Sequence, residues 1–492
     1  MKGYGKMKKM FSIKKMVSLM LIAAIALISA ACGNTSKTSS GPVELLWYVP
    51  CNAQSDQAAV MEKVNEITES EIGIKVNFQF IDSTAYKEKM NMVVASNEDY
   101  DLCFTASWSL NYQQCAAKGA FLDLGELLDK YGTGIKEIVP ENVINSVKVN
   151  GKLYAIPNYQ TMAGTIVAFT YKKYCDKYGF DMSTVKKAED IEPFMEVIKK
   201  NEPNVIPLRL DYGPQITISR DYENLLDNVI FISKNDDSYK VTNAYEAREY
   251  MGKLYLDWYK KGYIRQDINT KGDDTAERYA GKYAFSFTAG KPGIGANLNK
   301  EYGEEMVYAD ITEPYVNHDA ALSSLTAVSR TTKHPEEAMK LLNLVNTNKE
   351  LYNLLCNGIE GKHYTKLEDG RIKAIEDSGY APNRDWVFGC QFNAYVFDGN
   401  DPDVWEKTKE WNETSKSSKL LGFSFDREKV KTQITAVSNA MKEYDALFNG
   451  SIDPNKWDAL YAEYKEKLKN SGLEEITAEY QRQVDEWLKT NK

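Results

Sequence analysis

From residue 43 onward the apolar positions change period repeatedly, and each change marks an element. VELLWYV (Val43–Val49) is a short, nearly continuous apolar run, suited to a buried strand. Ser55 then caps a stretch where Val60, Val64 and Ile67 recur at helical spacing, and Gly73 ends it. Ile74, Val76, Phe78 and Phe80 alternate with Lys75, Asn77 and Gln79, the two-residue period of a strand. A helix over 85–95, with Tyr86, Met90 and Val93 on one face, leads to the strand DLCF. Strand, helix and strand within about 40 residues predict parallel pairing through a right-handed crossover, and so an α/β chain.

The end of the chain reads differently. Asp426 opens a helix carrying Val430, Ile434, Val437, Met441 and Tyr444, which closes near Gly450. Asp453 followed by Pro454 is an N-cap with proline in the first helical position. The helix it starts carries Trp457, Leu460, Tyr461, Tyr464 and Leu468 and stops at Gly472; a third runs through Tyr480, Val484 and Leu488. Their apolar stripes require a surface to pack on.

At the other end, six lysines precede an apolar run from Met16 to Ala31, with no acidic residue among them. That is the layout of a secretory signal peptide, and the run is short for a membrane span. Ser29, Ala30 and Ala31 directly before Cys32 resemble the lipobox of bacterial lipoproteins, with Ser29 where leucine is usual. The resemblance implies acylation at Cys32, after which 33–42, rich in Ser, Thr and Gly, serves as a leash. Ordinary signal cleavage near Ala31 is the alternative.

Removing the six leader lysines takes the formal charge from −9 to −15, which argues against nucleic-acid binding. The six remaining cysteines form no C-x-x-C pair and are expected to be mostly buried and reduced, with Cys103 and Cys115 the first pair to examine for a bond. Three histidines, none beside a carboxylate or cysteine at ligand spacing, make a metal centre an unpromising reading, and no cofactor is expected. FDGNDPDVWE (397–406) is rich in oxygen ligands but lacks the spacing of a calcium loop. No nucleophile or phosphate-loop motif occurs, so no catalytic residue is assigned.

Aromatic side chains beside planar polar ones stand out instead, in TASWSLNYQQ, AIPNYQT, LRLDYGP and NRDWVFGCQFNAY. A sugar offers an apolar face for rings and a belt of hydroxyls for paired hydrogen bonds.

NGKLYAIPNYQTMAGTIVAFTYKKYCDKYGFD, RYAGKYAFSFTAGKPG and ALSSLTAVSRTTKHPEEAMKLLNLVNTNKELYNLLCNGIEGKHYT resemble the hinge-crossing and flanking stretches of extracellular solute-binding proteins of ABC importers. The C-terminal segment from LLGFSFDREKV onward resembles the extra helical domain of one lipoprotein subgroup, often labelled LplA-like. The resemblance implies a two-lobe α/β, periplasmic-binding-protein-like fold with discontinuous lobes and a C-terminal helical extension. The expected division is 1–31 signal peptide, 32–42 leash, 43–157 plus 286–325 first lobe, 158–285 plus 326–425 second lobe, and 426–492 helical extension. It also implies a non-enzymatic monomer that closes on a carbohydrate, favoured as an oligosaccharide, and delivers it to permease transmembrane subunits at the outer face of the membrane. Expected ligand residues are Tyr48, Trp108 and Tyr112 on the first lobe, Arg209, Asp211, Trp386 and Asn393 on the second, and Asn158 and Tyr159 at the hinge. Arg209 and Arg384 would suit a carboxylated sugar. GIEGKHY (358–364) is expected to be a structural turn near the hinge. A peptide or other solute in the same fold, and a secreted polysaccharide-degrading enzyme, are the competing readings.

Overall fold

β1 (Val43–Val49) pairs in parallel with β2 (Ile74–Phe80), from Val43↔Ile74 to Val49↔Phe80, and with β3 (Leu102–Thr105) on its other side. Helices Gln57–Ile72 and Tyr86–Ser96 make the connections, burying Val60 and Val64 from one and Tyr86, Met90 and Val93 from the other. Gly73 and Asn97 stop them in the left-handed conformation. The computed structural model describes residues 41–210 and 219–491, so the leader, Cys32 and Asp211 lie outside the described residues.

After β4 (Ala155–Pro157) the chain leaves this sheet for a second one. It runs through β5 (Ala163–Tyr171), β6 (Ile206–Leu208), a three-stranded meander β7 (Tyr222–Leu226), β8 (Ile230–Ser233) and β9 (Val241–Asn243), then β10 (Tyr283–Gly290), β11 (Met306–Asp310) and β12 (Tyr315–Val316). It returns at β13 (Leu325–Val328), which lies antiparallel between β3 and β4. A hairpin of β14 (Tyr364–Lys366) and β15 (Ile372–Ala374) follows. Helix Val404–Thr414 then makes a third crossing to β16 (Lys416–Ser417), which pairs with β12. Each sheet thus belongs to a lobe, and three connections join the lobes.

Two apolar cores match this division. In the first, Trp47 of β1 stacks on Phe78 of β2 at 5.0 Å between ring centroids, and Phe388 meets both edge-on at 6.3 and 6.0 Å. Residues 321–394 pack there, and residues 168–311 with 420–484 form the second core. This differs from the expected division, with 286–325 in the first lobe and 326–425 in the second: the cores place most of these two stretches the other way round. Strand periodicity shows that a segment is a strand but not which sheet receives it.

The C-terminal helices pack into the second core rather than standing apart. Trp457, Tyr461, Tyr464 and Tyr480 are buried there, and Arg248 of helix Ala244–Lys260 lies 3.9 Å from the Phe448 ring centroid. Gly450 ends helix Asp445–Asn449 at φ 81°. A Cβ there would sit 2.1 Å from the Tyr255 carbonyl oxygen, so only glycine allows this approach.

The pairing also locates the cleft. β4 and β5 flank the first crossing; β3 shares its direction with β4, since both run antiparallel to β13. β10 ends beside the start of β5, with Gly290 opposite Thr165, and β6 runs parallel to β10. Both sheets therefore point the carboxyl ends of β3, β4, β6 and β10 at the crossings, the edge where α/β sheets bind ligands.

Candidate functional site

At the carboxyl end of β3 the chain makes a tight loop. Ala106 N–H donates to the Ser109 carbonyl, and Ser107 N–H to the Leu322 carbonyl at 2.8 Å. Asn111 caps the next helix, its side chain accepting from Gln114 N–H at 2.9 Å. The geometry leaves Trp108 at the loop tip, 56% exposed, with its indole Nε1 donating to the Ser323 carbonyl at 2.8 Å. One hydrogen bond thus fixes the indole while more than half of the residue stays open to solvent.

Trp386 stands next to it. It occupies the short turn Asp385–Val387, and its ring centroid is 5.9 Å from that of Trp108, with the planes inclined at 57°. Phe104 of β3 underlies both, 5.8 Å from Trp108 and 5.6 Å from Trp386. Arg384 lies 5.7 Å from the Trp386 ring centroid and donates to the Pro50 carbonyl and the Ser83 hydroxyl at 3.2 and 3.0 Å. Two indoles thus form an open corner, with carbonyl, hydroxyl and guanidinium groups around it.

The remaining expected residues take other places. Tyr48 is half-buried, its ring edge-on to Tyr100 at 6.1 Å; burial, then the charge of Glu98, raise its pKa. Tyr112 is fully buried, donating from its hydroxyl to the Val147 carbonyl at 2.7 Å and stacking on Phe121. Asn158 is buried in the first crossing, giving its amide hydrogens to the Ser324 hydroxyl and the Val387 carbonyl and accepting from Thr326. Tyr159, also buried, packs edge-on against Phe392 at 5.0 Å. Asn393 donates to the Asn346 carbonyl at 2.7 Å. In this conformation Tyr112, Asn158, Tyr159 and Asn393 hold the scaffold. Trp386 and Asn393 belong with the first core and not the second, since their segment packs there.

Arg209, the first residue past β6, is buried in an ion pair with Asp274, Nη2 to Oδ1 at 2.6 Å and Nε to Oδ2 at 3.3 Å. Tyr283 and Lys271 also donate to Asp274, at 2.9 and 2.6 Å. Burial works against ionisation of this carboxyl, but the hydrogen bonds from Arg209, Lys271 and Tyr283 outweigh it and hold its pKa well below the usual range.

Sequence reasoning missed the groups that tie the site to the crossings. Asn412, on the helix of the third crossing, accepts from Met162 and Ala163 N–H at 2.9 and 3.0 Å and donates to the Gln160 carbonyl at 2.8 Å. Gln391 accepts from Thr161 N–H at 3.2 Å and donates to Asp385 at 2.7 Å. Ser323 and Ser324, small polar residues just before β13, were the only local signal. GIEGKHY lies in the first lobe, where His363 accepts from Ile359 N–H and faces Asp56 beside helix Gln57–Ile72. Among the described residues no group of three His, Cys, Asp or Glu could hold a metal, and no helix is long and apolar enough to cross a membrane. Cys103 and Cys115 are both free and buried.

Residues 52–351 match the family described as bacterial extracellular solute-binding protein. The chain belongs to that family. Residues 419–489 match a domain of unknown function, DUF3502. The chain is 30% identical to a carbohydrate ABC transporter substrate-binding protein of Streptococcus pneumoniae serotype 4, over 96% of this chain and 97% of that one. Its fold resembles the crystal structure of the N-glycan transport solute binding protein NgtS of S. pneumoniae, with a TM-score of 0.78 at 28% identity, over 92% of this chain and all of that one. Against NgtS in complex with Man1GlcNAc and Man5GlcNAc the TM-scores are 0.65 and 0.63, again at 28% identity. Members of this family bind and deliver solutes and are not enzymes.

Proposed function

We propose that the chain captures an uncharged oligosaccharide containing mannose and N-acetylglucosamine, closes its lobes on it and presents it to the transmembrane subunits of an ABC importer. Acyl chains on Cys32 tether it to the outer face of the membrane. The observation that carries the reading is the corner formed by Trp108 and Trp386 at the cleft edge, 5.9 Å between centroids, with Trp108 largely open to solvent. Rings set in this way cover the C–H faces of sugars. The glycan complexes of NgtS support the choice of sugar, and their lower TM-scores support an open form here that closes on ligand. Both arginines named at the cleft are committed within the protein, Arg209 to Asp274 and Arg384 to Pro50 and Ser83. At Arg209 a sugar carboxylate would have to displace Asp274, which favours a neutral ligand there.

Thermal unfolding of residues 33–492 with and without Man5GlcNAc tests this. Ligand at 100 times its Kd should add about 2.7 kcal/mol of stability. A shift with Man5GlcNAc and none with a uronic-acid oligosaccharide or a peptide mixture is the expected result; the reverse overturns the reading. For the anchor, Cys32→Ser should move the protein from the membrane fraction to the medium.

A further inference from the structure

Two adjacent residues of the second crossing each bond to one of the tryptophans, one at the indole and one at the main chain. The Ser323 carbonyl accepts from Trp108 Nε1 at 2.8 Å, and the Ser324 hydroxyl donates to the Trp386 carbonyl at 2.6 Å. Ser324 is only 2% exposed, and its hydroxyl also accepts from Asn158 Nδ2 at 3.0 Å. The backbone repeats that tie, Asn158 N–H donating to the Ser324 carbonyl at 3.0 Å. Gln160 Nε2 reaches the Ser323 hydroxyl at 3.2 Å. The corner is therefore hung on the strands that join the lobes.

Trp386 needs such support. Its own secondary structure is a three-residue 3-10 turn, too short to fix a side chain by itself. Its direction is set by Phe104 beneath it and by the hydrogen bonds that pin the 386–387 backbone, from the Ser324 hydroxyl and from Asn158 Nδ2 to the Val387 carbonyl at 2.8 Å. A ring fixed before the ligand arrives has no ordering cost to meet on binding.

We propose that Ser324 is a positioning residue for glycan capture, setting the angle at which Trp386 meets Trp108 and fastening that angle to the hinge. The proposal rests on the reading of the indole pair as the sugar-binding surface. Ser324 acts through Trp386 and does not itself touch the sugar.

The experiment is calorimetric titration of Man5GlcNAc into wild type, Trp386→Ala, Ser324→Ala and Ser324→Thr, with the ligand-free unfolding midpoint and near-UV circular dichroism of each. Trp386→Ala should lose binding together with the dichroism of the paired indoles. Ser324→Ala should bind about tenfold more weakly and show that dichroism diminished, and Ser324→Thr, which keeps the hydroxyl, should restore both. Wild-type affinity in Ser324→Ala beside lost binding in Trp386→Ala overturns the proposal and leaves the indole surface standing. Wild-type affinity in Trp386→Ala overturns the indole surface itself. Weaker binding in Ser324→Ala with unaltered indole dichroism also overturns it, because the serine would then act only through stability. If Ser324→Ala fails to fold, Ser324→Cys, similar in size and a weaker donor, allows the same comparison.

Discussion

The buried carboxylate of Glu223 holds His318 twice, accepting from its backbone N–H at 2.6 Å and pairing with its ring Nδ1 at 2.8 Å. The other oxygen accepts from Tyr315 and Ser418 at 3.1 and 2.6 Å, so one side chain gathers the second-lobe ends of two crossings. Burial lowers the pKa of His318, but the hydrogen bond and charge of Glu223 outweigh it and raise it above its ordinary 6.5. Burial raises Glu223, yet its bonds to His318 and Ser418 bring it below 4.5. The histidine's contribution to stability is complete below pH 6.5 and fades as pH rises through its raised folded value. That of the glutamate is complete above pH 4.5 and is lost as pH falls through its depressed value. The pair is thus strongest between these limits. His318→Gln should cost about 1.5–3 kcal/mol near pH 5.5 and clearly less at pH 8.5, measured by urea unfolding. Burial also pushes Lys234 down to about 8 against the pull of the Glu223 charge, so this lysine adds a rise of stability with pH on the same side of the pair. An equal loss at both pH values would show that the pair is not ionic.

Trp108→Ala should separate binding from folding. The ring is more than half exposed, so its removal should change unfolding free energy by less than about 1 kcal/mol. Affinity for Man5GlcNAc should fall roughly ten- to a hundredfold. Trp386→Ala, whose ring is partly buried against Phe104, should lose binding and also lower the unfolding midpoint. Titration beside a melting curve of the ligand-free protein checks both.

Asp274→Ala should be far more damaging than an ordinary surface change. It would take from Arg209, Lys271 and Tyr283 the buried carboxylate they share, and the loss of one partner from a buried pair costs about 3–5 kcal/mol. Asp274→Asn, which can still accept, should cost less. Chemical denaturation distinguishes them, and equal, small effects would show that Arg209 finds another anion.

Gly450→Ala tests the join between the C-terminal helices and the second lobe. The added methyl meets the Tyr255 carbonyl and must also sit at positive φ. A loss of at least about 2 kcal/mol is expected. Urea unfolding should remain one transition for the second lobe and the helices, because they share a core; two transitions would make the helices a separate unit.

What could be read from the sequence follows the range of the forces involved. β1, β2 and the helices between them were legible because their apolar spacing is local. Trp108 and Tyr112 read alike in the sequence, as rings in one polar cluster, and Trp108 is the one that the fold leaves exposed. Tyr112 is buried, for its partner is the Val147 carbonyl, 35 residues on. Arg209 looked like a ligand group because Asp274, which neutralises it, lies 65 residues away. The lobe assignment of 326–394 was hidden for the same reason, since β13 belongs to the first sheet only through its pairing with β3 and β4. The indole corner needed three distant segments to appear.

The way the two cores share the chain also sets an order of assembly. A polypeptide leaving the cell N-terminus first delivers β1, β2 and β3 early, but their sheet lacks β13 and their core lacks Phe388 until the strands of the second lobe have already emerged. The first lobe cannot be finished until the strands of the second have emerged, and the second waits longer still, for residues 420–484. The apolar faces of the first wait, uncovered, through most of translocation, a delay that disfavours premature folding and exposes the chain to aggregation. A fragment ending before residue 394 would lack part of that core, and neither lobe can be obtained by cutting the gene once.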